Sequence, residues 1–363
     1  MPIDALAGAA ALAVLAISQF GFRQNFRNIC DDALISLRYA QQWVAGNGLV
    51  FNTGERVEGY TNFLWTVVLG GTTALSQALD ADPIQAASLA SSLFGAANLG
   101  LVAAIGRRLF GGAVLPVAVS LGVCAADNAY AMWSFQGLEG PFVAFWALLS
   151  LWIAMGDGPR RTGALGLSLA ALWMTRPDAG LFVVLLLGFL ALDAWRGRRS
   201  PDVAAQPNVS SIAIAGGLCL VVYALYFLWR FHYYGFLLPN TFYVKVGGGV
   251  DGWARGGEYV WSFVTERAGL PLLAFLALLR VDRLAVRVLG AWVLLHALYV
   301  ASVGGDFYAG HRFFIPLIPP LALLLGVAVE RLQRVADRLG ESVAPAVSVG
   351  VATFLVLGWA GAS

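Results

Sequence analysis

Residues 31–65 read DDALISLRYAQQWVAGNGLVFNTGERVEGYTNFLW. Two adjacent carboxylates, Asp31 and Asp32, follow one apolar segment (3–22) and precede another (61–79). Acids suit the start of a helix, where they accept free N–H groups and oppose the helix dipole. On the helix they open, Asp31, Ile35, Arg38 and Gln42 recur at the spacing of helical turns and share one face. The run GNGLVFNTGERVEGYTN (46–62) has the Gly, Asn and Thr chemistry of an ordered surface loop. Whether 61–79 then crosses a membrane decides the arrangement of everything downstream.

The chain must meet a membrane. Of its 363 residues, 59% are hydrophobic and only 12% are charged, with mean hydropathy +0.73. A soluble domain carries about 25% charged residues. Apolar segments run at 3–22, 61–79, 84–106, 112–126, 138–155, 162–174, 179–195, 211–234, 268–280, 285–303, 313–329 and 343–360. These dictate an all-α polytopic transmembrane protein and leave none of the short alternating strands of a β-barrel. Residues 3–22 lack a basic start and a small-residue cleavage site, so they read as a retained helix. The single lysine, Lys245, excludes a P-loop, and Cys30, Cys124 and Cys219 are too dispersed for a zinc site. Net charge of +2 gives no footprint for nucleic acid.

Arginine placement tests the topology. Short Arg-rich loops stay on the cytoplasmic side. They are Arg107-Arg108, Arg160-Arg161, Arg196/Arg198/Arg199, Arg280/Arg283/Arg287 and Arg331/Arg334/Arg338. If all twelve segments span with the N-terminus inside, the first two fall outside. If 61–79 instead lies on the outer face, every Arg-rich loop falls inside. The expectation is therefore about eleven spans plus outer-face juxtamembrane helices in a first outer loop, residues 23–80. On this topology the sequon Asn208-Val209-Ser210 is cytoplasmic and is discarded.

The same topology gathers the polar motifs on one face. They are Asp31-Asp32, Glu139 in GLEGP, TRPD (175–178), PNTFYVK (239–245) and GGDFYAGHR (304–312). Ionisable groups near hydrocarbon are costly, so their clustering points to one shared polar cavity. A carboxylate there can deprotonate a hydroxyl, and a second can orient the acceptor or share a divalent cation, Mg or Mn. Arg38, Lys245, His311 and Arg312 are candidates for a phosphate. Glu58, Tyr60, Asn62, Glu139, Arg176, Asp178, Asn240 and Asp306 are candidates for a sugar or acceptor. Plainer readings stand beside these: Glu139 complementing a helix dipole, Arg176–Asp178 as a local ion pair, Lys245 snorkelling, Glu55, Arg56 and Glu58 as a solvated run. For Tyr60, Phe63 and Trp65 the expectation is interfacial anchoring.

Outer-face acids without a nucleotide-binding motif imply a donor already in the outer leaflet, a sugar on a lipid phosphate. The stretches quoted from 31–65, with SFQGLEGP, TRPDAGL, YYGFLLPNTFYVKVGG and GGDFYAGHRFFIPLIP, resemble the GT-C superfamily of polyprenyl-phosphate-sugar-dependent glycosyltransferases, and within it the terminal arabinofuranosyltransferase family. They spread over residues 28–320.

The resemblance implies a single GT-C-like transmembrane domain over residues 1–363, in a bacterial inner or plasma membrane, with its site facing the periplasm. It implies inverting transfer of a sugar, arabinofuranose, from a polyprenyl-phosphate donor to a glycan or lipid-linked acceptor, with Asp31 as base and Asp32 assisting. Members differ in metal use, so a divalent cation at Asp31 and Asp32 stays open. Relatives carry a soluble outer domain after the last helix, which this sequence is expected to lack. A lipid-linked sugar transporter without transferase chemistry is the competing reading.

Overall fold

A computed structural model describes residues 3–25, 29–240, 249–276, 282–339, 350, 353 and 355–359. These residues form helices and no strand. The elements are α1 (Ile3–Asn25), α2 (Asp31–Val44), α3 (Phe63–Ala78), α4 (Pro83–Leu109), α5 (Val114–Ala126), α6 (Asn128–Trp133) and α7 (Gly140–Met155). They continue as α8 (Arg161–Thr175), α9 (Gly180–Trp195), α10 (Val209–Tyr234), α11 (Gly249–Thr265), α12 (Leu270–Leu276), α13 (Leu284–Val303) and α14 (Ile318–Leu339). Short 3₁₀ turns at Pro177–Ala179 and Arg312–Leu317 lead into α9 and α14.

Local chemistry sets several boundaries. Asp82 accepts the Ile84 N–H at 2.9 Å with Pro83 opening α4. Asn208 does the same for Ser211 at the start of α10, and Gly235, at φ +79°, ends that helix in the left-handed conformation. Pro177 disfavours helix at the residue before it, so Arg176 is extended (φ −152°, ψ 136°) and α8 stops there.

One row of packing runs α4 on α7, α7 on α8 and α8 on α10; α5 packs against both α1 and α14, and α13 against α9 and α11. Ile318 and Leu321–Leu325 of α14 are fully enclosed. By contrast, α10 exposes Leu220, Val221, Leu225 and Leu228. So large an apolar face is stable only against hydrocarbon or another apolar surface. Among the described residues five helices are long and apolar enough to cross a membrane: Pro83–Leu109, Pro177–Trp195, Val209–Tyr234, Leu284–Val303 and Arg312–Arg338. Shorter apolar helices lie at Ala7–Gly21, Val114–Ala126 and Gly140–Met155.

Helices appear wherever the apolar segments predict them within the described residues; α6 and α11 were not expected. The anchoring role expected of Trp65 and Tyr60 fails. Both are buried, and the indole N–H of Trp65 donates to the Gly137 carbonyl at 2.9 Å. The loop before α3 folds back over α2, so these rings fill protein, and Phe63 stacks on Tyr226 at 4.4 Å.

The arginine-rich ends are tied to one another. Arg287 grips Asp193 at 2.5 and 2.8 Å, Arg283 pairs with Glu330 at 2.6 and 2.9 Å, and Asp202 caps α13 by accepting from Leu284 and Ala285. Arg108 donates to the Trp152 carbonyl at 3.0 Å, and Arg161 to those of Ala154 and Ala205.

Candidate active site

The mouth is assembled from both halves of the chain. Helix α2 begins at Asp31, and its first turn presents Asp31 and Asp32. The segment 304–311, between α13 and the 3₁₀ turn, comes down on them. Its turns need glycine: Gly304, Gly305 and Gly310 all have positive φ. Tyr308 donates its phenol hydrogen to Asp31 Oδ1, and Arg312 Nη1 meets Asp32 Oδ2 at 2.6 Å. Asp31 Oδ1 also accepts the Asp32 N–H at 2.9 Å, so the helix-start reading holds as well. Asp31 remains exposed, and the hydrogen bond from Tyr308 holds its carboxyl below the usual carboxylate range. The same bond pushes the Tyr308 phenol up. At neutral pH the pair is therefore a carboxylate and a phenol.

Behind this pair, Arg312 also faces Asp306, with Nε to Oδ2 at 2.7 Å. Phe313 separates two guanidinium groups, Arg312 at 5.5 Å and Arg176 at 5.9 Å from its ring centre. The extended backbone at Arg176 carries its guanidinium out of α8 to Glu139 at 2.7 Å and Asp178 at 2.9 Å. Glu139 also accepts from Asn62 Nδ2 at 2.8 Å, and Asn62 Oδ1 accepts from the Ser36 hydroxyl at 2.9 Å. Asn62, Glu139, Arg176 and Asp178 thus form one connected support, in which the plain ion-pair reading of Arg176–Asp178 is present alongside a wider network.

Other candidates stand elsewhere. Arg38 does not join the mouth: its Nε donates to the Phe51 carbonyl at 3.1 Å. Helical spacing put it on the Asp31 face, but the loop after α2 covers the end of that face and takes the guanidinium. Glu58 is not a solvated charge. It forms a buried pair with Arg230 at 2.5 Å, and burial raises its carboxyl above the usual range against the opposing effect of Arg230. The Asn240 N–H donates to the Glu58 carbonyl at 3.0 Å. Tyr60 is buried against Tyr39, its hydroxyl 3.0 Å from that of Tyr234. Glu58, Tyr60 and Asn240 therefore tie the first loop to the end of α10. Lys245 lies outside the described residues.

His311 has φ +52° and is buried between Tyr259 and Phe263, its Nε2 2.8 Å from Ser262 Oγ. Burial and Arg267 push the imidazole down to about 4, although half-exposed Glu266 stands 3.3 Å from Nδ1. It is neutral at pH 7 and offers no cation to a phosphate.

Sequence reasoning passed over Tyr308, although it lies inside the GGDFYAGHR motif. It also passed over Asp127 and Arg267. Asp127 caps α6 through Tyr130 N–H at 2.6 Å, pairs with Arg267 at 3.0 Å and accepts the Trp359 indole N–H at 2.7 Å. Arg230, a charge inside an otherwise apolar run, was the available signal for its own pair.

A cation site would need converging donors. Asp31 and Asp32 are each already engaged, and among the described residues no three His, Cys, Asp or Glu side chains converge to hold a metal ion.

The fold is shared with glycosyltransferases of the GT-C class. ArnT from Cupriavidus metallidurans in its apo state aligns over 99% of this chain and 70% of its own, with TM-score 0.60 and 16% identity. The same protein bound to undecaprenyl phosphate aligns over 99% and 76%, with TM-score 0.58 and 17% identity. The archaeal oligosaccharyltransferase AglB from Archaeoglobus fulgidus, in complex with an inhibitory peptide and a dolichol-phosphate, covers 97% and 55%, with TM-score 0.54 and 10% identity.

In sequence the chain is similar to terminal β-(1→2)-arabinofuranosyltransferases. It is 31% identical to that of Corynebacterium glutamicum over 88% of this chain and 50% of the relative. It is 32% identical to that of Mycobacterium tuberculosis over 65% and 38%. The chain thus spans about half or less of the relatives it matches. No protein-family model matches it.

Proposed function

We propose that this chain carries an inverting glycosyltransferase site that moves arabinofuranose from a polyprenyl-phosphate donor to a glycan acceptor. The observation that carries the reading is the meeting of Asp31 and Asp32 with Tyr308 and Arg312, 277 and 280 residues away along the chain. An exposed, ionised carboxylate beside a guanidinium in an apolar body suits a base next to an anionic leaving group. Asp31 takes the proton of the acceptor hydroxyl, whose oxygen bonds to the anomeric carbon. The bond from that carbon to the phosphate oxygen breaks on the opposite face, and the lipid phosphate leaves with the electron pair beside Arg312. In this reading Phe313, Arg176 and Glu139, which stand together behind Arg312, contact the sugar. In this reading the chain crosses a bacterial plasma membrane about eleven times, α3 lies along the outer face, and the mouth opens to the periplasm.

The test uses the purified chain in nanodiscs with labelled decaprenyl-phosphate arabinofuranose and an arabinan oligosaccharide. A longer labelled glycan and free polyprenyl phosphate are expected. Asp31→Asn should lower the rate by about 10²–10⁴-fold, the span of general-base catalysis, with donor binding retained. Full activity in that variant removes Asp31 as the base. Movement of intact labelled lipid across proteoliposomes, with no glycan product, replaces the transferase by a transporter.

A further inference from the structure

The two edges of the Arg312 guanidinium are held differently. Nε and Nη2 face Asp306, at 2.7 and 3.3 Å. The Asp306 side chain is 4% exposed, so this edge is sealed. The rings of Tyr308, Phe313 and Trp133 lie 4.5, 5.5 and 5.8 Å from Arg312 Cζ and fix its position. Nη1 faces the mouth, and its partner is Asp32 at 2.6 Å, whose side chain is 38% exposed. A guanidinium binds carboxylate and phosphate oxygens through the same N–H groups.

We infer that Asp32 is the gate of the phosphate site: its carboxylate holds the Nη1 edge of Arg312 and competes there with the phosphate of the lipid. This rests on the phosphate role proposed for Arg312 and divides the work of the acidic pair. Asp31 serves the acceptor hydroxyl; Asp32 acts through Arg312 as a positioning residue. A lipid phosphate reaching Nη1 pushes Asp32 aside, while Asp306 keeps the guanidinium in place. The donor is a phosphodiester with one negative charge. The product is a monoester, which approaches two charges near neutral pH, as a phosphorylated side chain does. The product therefore holds Arg312 more tightly, and the return of Asp32 to Nη1 helps expel it. Asp32 so lowers affinity and raises turnover. The two aspartates that bracket Arg312 should have opposite effects when neutralised, one freeing the phosphate edge and the other loosening the group that presents it.

The experiment titrates a short prenyl monophosphate, farnesyl phosphate, into the full chain in nanodiscs and follows bound ligand directly. Asp32→Asn should tighten binding by about fivefold, the equivalent of the ~1 kcal/mol that an exposed ion pair contributes. Asp306→Asn should weaken it, and Arg312→Ala should lose it. In steady state Asp32→Asn should lower kcat and KM together and deepen inhibition by added prenyl phosphate, with the first turnover little changed. Asp32→Ser, which also removes the charge, repeats the binding test if Asp32→Asn melts early. Unchanged or weaker binding in the Asp32 variants, with binding lost in Arg312→Ala, overturns the gate and leaves the phosphate role intact. Unchanged binding in Arg312→Ala overturns both.

Discussion

Arg267–Asp127 and Arg312–Asp32 are the same chemical pair in different surroundings. In the first, both side chains are almost wholly enclosed, at 1% and 0% exposure, and the carboxylate also holds Tyr130 N–H and the Trp359 indole. Phe263 covers the guanidinium at 4.3 Å. In the second, Asp32 reaches solvent and makes a single side-chain contact with the guanidinium. Removing one partner of a buried pair strands a charge, whereas an exposed pair contributes little to stability and its partner can be exchanged. Surroundings therefore make one pair a clasp between the α5–α6 junction, the turn after α11 and Trp359, and leave the other open at the mouth, where the proposed phosphate site lies. Glu58–Arg230 falls with the clasp, because it is enclosed and pins the first loop to α10.

The contrast is sharpest when one partner of each pair is removed. Arg267→Ala should cost about 3–5 kcal/mol, by stranding Asp127, and this is measured as lost resistance to denaturation in nanodiscs. Asp32→Asn, which leaves Arg312 held by Asp306, should cost under about 1 kcal/mol. Equal stability losses would erase the distinction.

Tyr308→Phe tests the mouth without touching a charge. It removes the hydrogen bond that lowers the Asp31 pKa, so the acid limb of the rate profile should move up towards the ordinary carboxylate value near about 3.9. A limb that stays in place means that the phenol does not govern Asp31.

His311 tests the enclosed side of the same loop. The unfolded chain takes up its proton near about 6.5, whereas the folded imidazole resists until about 4. Stability from this group is full above the higher value and is lost as pH falls through the lower one. Unfolding midpoints should decline across that window, and His311→Gln should flatten the decline. The smallest effect belongs to Arg38→Ala. It loses one exposed hydrogen bond to Phe51, about 1 kcal/mol or less, and should leave prenyl phosphate affinity unchanged.

These residues also show what could be read in advance. The apolar runs could, because a helix that must satisfy its own backbone in hydrocarbon needs a continuous stretch of greasy side chains. So could the caps at Asp82 and Asn208, which act within three residues of themselves. The motifs that meet at the mouth were legible as motifs: Asp31-Asp32 and GGDFYAGHR both lie there. The partners within it were not. Arg38 satisfied the helical spacing and still went to the loop, and Arg312 came from 280 residues away to take Asp32. Trp65 had the position of an interfacial anchor, but Gly137 supplied its hydrogen-bond partner.

By itself, then, the sequence determined that this chain is a many-helix membrane body with acids and arginines concentrated in a few polar motifs. Hydropathy and helical spacing are properties of neighbours along the chain. Only the tertiary structure decided which arginine meets which aspartate, and which of those pairs is sealed from water. Burial and pairing depend on how distant segments pack, and for groups of identical charge they separate a structural clasp from an exchangeable contact.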